Sequence, residues 1–427
     1  MTAEVALMNK LAVALAADSA VTVSTRNRQK VYNGGNKLFA LSKYSPVGIM
    51  VYGNAEFMGL PWETIIKVYR DQLGELRLGT IDEYFRHFLA FLGNNDDLFG
   101  DDTQLAHVLT QAAAYYLFLK KRVTESIEAL MTAQGSLTED QVKPLVSKVI
   151  TAELERWRAY TYSPDMDDGH RDEVARRYTS TLEDALKAAL QQLPLSDDDH
   201  KHLIEIGTYL FSKDFLPASS AGVVVAGFGE SQHFPSLRAA QVEARIAGRL
   251  KYRQSETADI SHDVGAVIVP FAQSDVVGLF IEGVDPTYET LATAYFKQVF
   301  LDFPKHIAAT LDTTSDETRA SFTNKWQRIG RDLLTDCQHR LKQELQIRYV
   351  DPMLDVVEAM PKSELASLAE ALVNLTSLKR KVSLDVETVG GPVDVAVISK
   401  GDGLIWIQRK HYFKSELNHQ FFANYFD

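Results

Sequence analysis

Residues 1–57 read MTAEVALMNKLAVALAADSAVTVSTRNRQKVYNGGNKLFALSKYSPVGIMVYGNAEF. Two apolar runs, residues 4–8 and 11–17, flank Asn9-Lys10, a polar pair of the kind that joins two antiparallel strands. The second run stops at Asp18. A polar, basic loop is expected next, carrying Arg26, Arg28 and Lys30. Lys37 then opens a third strand over 38–41, Ser45-Pro46 turns the chain, and residues 47–52 make a fourth. That strand ends in Gly53-Asn54-Ala55, after which the apolar spacing becomes helical.

Working outward, a helix is expected over about 55–69, with Phe57, Leu60, Ile65 and Val68 on its buried stripe. A second follows to about residue 92, with Thr80 as N-cap and Glu83 three residues on. From 94 to 217 the pattern is almost wholly helical. Leu105, Val108, Leu109, Ala112, Tyr116 and Leu119 share one face of a long segment. Gly135 breaks it, and Ser136 with Glu139 fits a capping box for the next helix, in which Pro144 marks a start or a kink. Ser196 is placed to cap a last helix over 197–212. Strand pattern returns at 221–229. Val242, Ala244 and Ile246 then alternate with Glu243 and Arg245, which predicts a half-buried strand with those two charges outward. An apolar segment at 265–271, helices at 287–301 and 317–347, a helix at 364–378 and two strands within 382–407 complete the chain. The expected organisation is a first sheet-and-helix half over 1–93, a helical insertion over 94–217, and a second half over 218–427 that includes the long helix.

The 427 residues are 45% hydrophobic and 24% charged, the balance of an ordinary globular chain. A net charge of −12 argues against nucleic acid as a main partner. The single cysteine, Cys337, excludes an internal disulfide and fits a reducing compartment. No apolar run approaches the roughly 18–20 residues of a membrane span, and no charged-then-apolar leader precedes the first strand. A cytoplasmic protein is expected.

This layout resembles the proteasome β-subunit and its bacterial ring-peptidase relative, both N-terminal-nucleophile hydrolases. In that family a threonine becomes the first residue once what precedes it is removed. An aspartate follows sixteen residues later in a phrase like AADS-x-x-T, a lysine opens the third strand, and a Gly-x-Ala turn follows the fourth. Here Thr2 and Asp18 are 18 − 2 = 16 apart, within Ala16-Ala17-Asp18-Ser19-Ala20-Val21-Thr22. Lys37 and Gly53-Asn54-Ala55 supply the other two features, the lysine a few residues later than usual. The run from Val389 through Gly390-Gly391 to Ile398 looks like the one that closes the family's fold. The resemblance implies a four-layer αββα sandwich of two antiparallel sheets, carrying an inserted helical domain. It also implies threonine-dependent hydrolysis of peptide or other amide bonds without a metal or cofactor. Peptide or protein substrates, a homo-oligomeric ring and an ATP-dependent unfoldase are the partners it implies.

The chemistry explains the residue types. A threonine hydroxyl needs a base within reach, and its own α-amine, with a pKa near 8, can serve directly or through a water. The resemblance assigns Lys37 to favour the alkoxide, Asp18 to hold that lysine, and the Gly53 N–H to receive the oxyanion. It places substrate along Val21 and Thr22 and shapes the first pocket with Val51 and Ala55. A further acid is expected just before Gly390, at Asp385 or Glu387. The family's serine near the new N-terminus has no counterpart, because Gly283-Val284-Asp285 stands where it is expected. A catalytically silent assembly or binding subunit is therefore the alternative. The clusters Asp165, Asp167, Asp168, His170, Asp172 and Asp197, Asp198, Asp199, His200, His202 read as a solvated linker and a helix's acidic first turn rather than as metal sites. Trp406 and Tyr412 are expected to pack rather than stack on bases.

Overall fold

A computed structural model of the chain describes residues 3–25, 28–136, 138–191, 193–310, 315–383 and 389–420. The chain begins with β1 (Ala3–Asn9), β2 (Val13–Ala17), β3 (Val21–Thr25), β4 (Arg28–Tyr32), β5 (Leu38–Ala40), β6 (Val47–Gly53), β7 (Glu56–Phe57) and β8 (Leu60–Pro61). Six helices follow: α1 (Trp62–Leu73), α2 (Ile81–Asn94), α3 (Asp101–Gln134), α4 (Glu139–Ala159), α5 (Asp168–Leu190) and α6 (Asp197–Leu210). Then come β9 (Ala221–Gly227), β10 (Ser236–Ile246), β11 (Arg249–Asp259) and β12 (Ala266–Ala272). The last part holds α7 (Asp275–Glu282), α8 (Pro286–Thr310), α9 (Asp316–Leu345), a π turn, α10 (Asp351–Ala359), α11 (Lys362–Lys381), β13 (Asp394–Ser399) and β14 (Gly403–Gln408). The protein is thus mixed α/β, with antiparallel sheets and many helices. None of the described helices is long and apolar enough to cross a membrane.

The elements gather into two compact units, each discontinuous in sequence. The first comprises residues 1–38, 233–235 and 259–427. Its five-stranded sheet has the order β12-β1-β2-β13-β14. Every residue of β1 and β2 is buried, so both strands read as near-continuous apolar runs instead of an alternation. Asn9 sets the turn between them. Its Oδ1 accepts from the N–H groups of Leu11 and Ala12, while its Nδ2 donates to the carbonyls of Val357 and Met360. Ala12, Ala14 and Ala16 give this sheet face a low relief. Leu365, Ala369, Leu372 and Val373 of α11 join them in one core.

The second unit comprises residues 39–232 and 236–258, with a sheet of order β11-β10-β9-β6-β5. Two cores meet this sheet. In one, Ile66 and Tyr69 of α1 and Phe85 and Phe88 of α2 pack on Ile49, Val51, Val223 and Val242. In the other, α3 to α6 bury Tyr116, Trp157, Leu182 and Ile206 together with Ala244 and Ile246 at the end of β10. The caps expected at Thr80 and Ser196 form: their side chains accept from the N–H groups of Glu83 and Asp199.

Several expectations are corrected. The stretch after Asp18 is not all loop, because β3 and β4 pair antiparallel from Val21↔Tyr32 to Thr25↔Arg28. The helix expected from 55 starts at Trp62, because the small β7–β8 hairpin takes the intervening residues. The cap before α4 is Thr138 boxed with Gln141, two residues beyond the Ser136–Glu139 reading. The two strands expected within 382–407 are β13 and β14, the second ending one residue beyond that range. Glu243 and Arg245 do not face solvent: both are buried. Arg245 donates to the carbonyls of Gly93 and Phe99 and to Asp96 Oδ1, while Glu243 lies 2.7 Å from Lys251 Nζ. The helices of residues 101–210 cover a strand face whose alternation alone predicts water.

Candidate active site

In the first unit, Asp18 follows the last residue of β2 and is 1% exposed. Its carboxylate collects four donors. Oδ1 accepts from the Ala3 N–H at 3.1 Å and from Lys37 Nζ. Oδ2 accepts from the N–H groups of Ala20 at 3.2 Å and Gly390 at 2.9 Å. The β1–β2 register brings this about: Glu4 lies opposite Ala17, so Ala3 and Asp18 meet at the same end of the hairpin, where the Asp18 N–H also donates to the Ala3 carbonyl. Lys37 is itself buried and forms a salt bridge with Asp18. A buried ammonium without a partner is costly, so the carboxylate is what permits a lysine at this position.

The loop before β13 closes over the pair. Ser19 N–H donates to the Gly390 carbonyl and Ser19 Oγ to that of Pro392. Gly391 has φ +79°, and a Cβ there would come within 2.9 Å of Asn33 Cβ, so a glycine is needed both for conformation and for space. The resemblance gives the Gly-Gly run as the close of the fold; the hydrogen bond from the Gly390 N–H to Asp18 has no signal in the sequence. Thr2 and Asp385 lie outside the described residues. Val21 and Thr22 begin β3, where Thr22 Oγ1 is buried and makes no hydrogen bond among the described residues.

Gly53, Val51 and Ala55 belong to the second unit. Gly53 ends β6 opposite Ala221 with φ +80°, and a Cβ on it would stand 2.8 Å from the Ser220 carbonyl oxygen. Asn54 fixes the turn that follows. Its Nδ2 donates to the Ser219 carbonyl, its Oδ1 accepts from the Glu56 N–H, and its own carbonyl accepts from Trp62 Nε1. Val51 packs in the core with α1 and α2, and Ala55 is exposed.

The segment Gly283-Val284-Asp285 has structural work of its own. Gly283 ends α7 in the left-handed region, and Asp285 Oδ1 accepts from the Thr287 N–H at the start of α8. Asp285 also pairs with Lys379 at 3.3 Å, and these bonds, the Thr287 N–H foremost, hold its carboxyl below the ordinary carboxylate range. The two clusters read as acidic linker and helix start behave as structural elements. His170 lies between Ser212 Oγ and the Ile246 carbonyl, and Asp199 closes the capping box of α6. Among the described residues, no group of three or more His, Cys, Asp or Glu side chains is arranged to hold a metal ion.

No family model and no curated protein matches the chain. Among solved structures it is similar to a Gly-1 mutant of Anbu from Hyphomicrobium sp. strain MC1. The identity is 11%, over 100% of this chain and 93% of that one, with a TM-score of 0.26. A likeness that slight leaves the case to the residues themselves.

Proposed function

We propose that the chain is a threonine-type N-terminal-nucleophile hydrolase of peptide or other amide bonds, of the proteasome β-subunit kind. Thr2 is the nucleophile once what precedes it has been removed. The observation that supports this most is the buried Asp18 carboxylate. It binds Lys37 and, on the same oxygen, the N–H of Ala3, the residue that follows Thr2 in the chain. In this reading the Thr2 hydroxyl attacks the amide carbonyl carbon. The α-amine of Thr2 takes the hydroxyl proton, directly or through a water, and passes it to the leaving amine. The Lys37 charge favours the developing alkoxide, and Asp18 keeps the ammonium in position. The Gly53 N–H, carried over by resemblance, is the oxyanion donor; the loss of such a donor costs other enzymes about 2.7–4 kcal/mol. Water then cleaves the acyl-threonine ester and restores the hydroxyl. The backbone of Val21 and Thr22 on β3 is where the resemblance lays the substrate. A ring of like subunits and an ATP-driven unfoldase belong to the same proposal.

A catalytically silent assembly subunit is the second reading. It is favoured by Gly283-Val284-Asp285, whose capping and ion-pair roles leave no serine where the family has one. A panel of fluorogenic peptides separates the two. The first reading expects hydrolysis by the wild type, a fall to background in Thr2→Ala and in Lys37→Met, and partial retention in Thr2→Ser. Equal turnover by Thr2→Ala and wild type would sink it, and so would an inactive wild type whose amino terminus is shown to be a free Thr2.

A further inference from the structure

The second unit holds a cavity of about 560 Å³ between the turn after β6, the first turns of α3, and β10. That size suits a small organic molecule. Its polar wall has an unusual feature. Glu243, with a side chain only 2% exposed, lines the cavity with one oxygen uncommitted. Lys251 Nζ stands 2.7 Å from Oε2 and also donates to the carbonyls of Leu210 and Phe215. Among the described residues, Oε1 accepts no hydrogen bond, and neither does the buried Nε2 of His107, 4.0 Å away. Each such orphan costs on the order of 1–3 kcal/mol. Both belong to residues that line one cavity.

Lys251 apart, which lies behind Glu243, the charged residues that line the cavity have one sign. Glu56 and Asp102 also line the cavity, both exposed, and among the described lining residues there is neither lysine nor arginine. Burial, with the Lys251 charge second, lowers the His107 pKa to about 4, so this imidazole is neutral near neutral pH and can accept at Nε2. Burial pushes the Glu243 carboxyl up and the Lys251 ammonium down, and each charge counters the shift of the other. A ligand that brings positive charge and N–H donors would complete both orphans. An anion would meet three carboxylates and no cation at the wall. Phe57 and Val242 offer an apolar surface beside the polar groups.

We propose that this cavity binds a small organic cation, a guanidinium or primary ammonium compound. Its N–H groups donate to Glu243 Oε1 and His107 Nε2, and its carbon stem lies on Phe57 and Val242. The helices that the hydrolase resemblance does not account for supply Asp102 and His107, and the site does not require the hydrolytic activity.

Agmatine, which carries a guanidinium and an ammonium on one short chain, is the probe. Titrated calorimetrically into the full chain near neutral pH and low salt, it is expected to bind saturably at one site. Glu243→Gln should weaken binding about tenfold or more, the effect of losing a charge-assisted acceptor. Asp102→Asn at the exposed rim should weaken it about two- to threefold and reduce its salt dependence. If Glu243→Gln fails to fold, Asp102→Asn combined with Glu56→Gln carries the test, since both positions are exposed. No saturable binding of agmatine would overturn the proposal. Affinity unchanged in these variants, or tighter binding of inorganic phosphate than of agmatine, would do the same.

Discussion

Replacing Asp18 by alanine is expected to lower unfolding stability by about 3–5 kcal/mol, the range for breaking a buried ion pair from one side. The carboxylate has four donors, three of them backbone N–H groups from separate parts of the first unit. Its removal strands the Lys37 ammonium and leaves the N–H groups of Ala3, Ala20 and Gly390 without that acceptor. The double variant Asp18→Ala/Lys37→Met should recover only part of the loss, because the charge is relieved but the backbone donors are not. Urea unfolding followed by circular dichroism reads the stability. Hydrogen exchange over β1 and β2 reports whether the loss is local to the hairpin. A cost below about 1 kcal/mol would mean that the carboxylate is solvated rather than the knot of this unit. The same variants bear on the proposed chemistry. Lys37→Met leaves the backbone bonds of Asp18 in place, so activity lost with modest instability points to the ammonium itself.

The second large effect is expected at Lys251→Met, again about 3–5 kcal/mol. Lys251 is fully buried, and Glu243 depends on it for the one charge that faces Oε2. Without the lysine, burial alone acts on Glu243, and its folded-state pKa rises further above the unfolded value near 4.5. A carboxyl with a raised folded pKa keeps its proton after the unfolded chain has released its own. Stability in this variant is therefore retained below pH 4.5 and lost as pH rises through the folded-state pKa, a slope weaker in the wild type. Lys251→Met/Glu243→Leu should recover most of the loss, since apolar replacement of a whole buried pair is often neutral or better. A double variant as unstable as the single one would show that the carbonyls of Leu210 and Phe215, rather than Glu243, are what the lysine serves.

What the sequence disclosed and what it hid divide along physical lines. The hairpin at Asn9, the N-caps at Thr80 and Ser196 and the glycine break at Gly135 are local, and each is written in a few adjacent residues. The Asp18–Lys37 contact spans nineteen residues. Only the resemblance to the family's spacing points to it, because no local rule pairs those two positions. The β3–β4 hairpin is hidden by its polar, basic residues, although Val21, Thr22 and Val23 have high β propensity. Glu243 and Arg245 are hidden for a stronger reason. Alternation states which face of a strand is polar, not whether water reaches it, and helices from elsewhere in the chain settle that. One signal was present: Glu243 and Lys251 flank the Ala247-Gly248 turn on adjacent strands, where opposite charges can meet. Ser136 lost to Thr138 because Gln141 completes the same box two residues later.

The claim that residue 2 acts through a free amine is open to a single direct measurement, the intact mass of the natively produced protein. The account predicts a chain that begins at Thr2 with nothing attached to its nitrogen. A mass that includes any preceding residue, or an acetyl group on that amine, would contradict it, because the proposed base would then be absent.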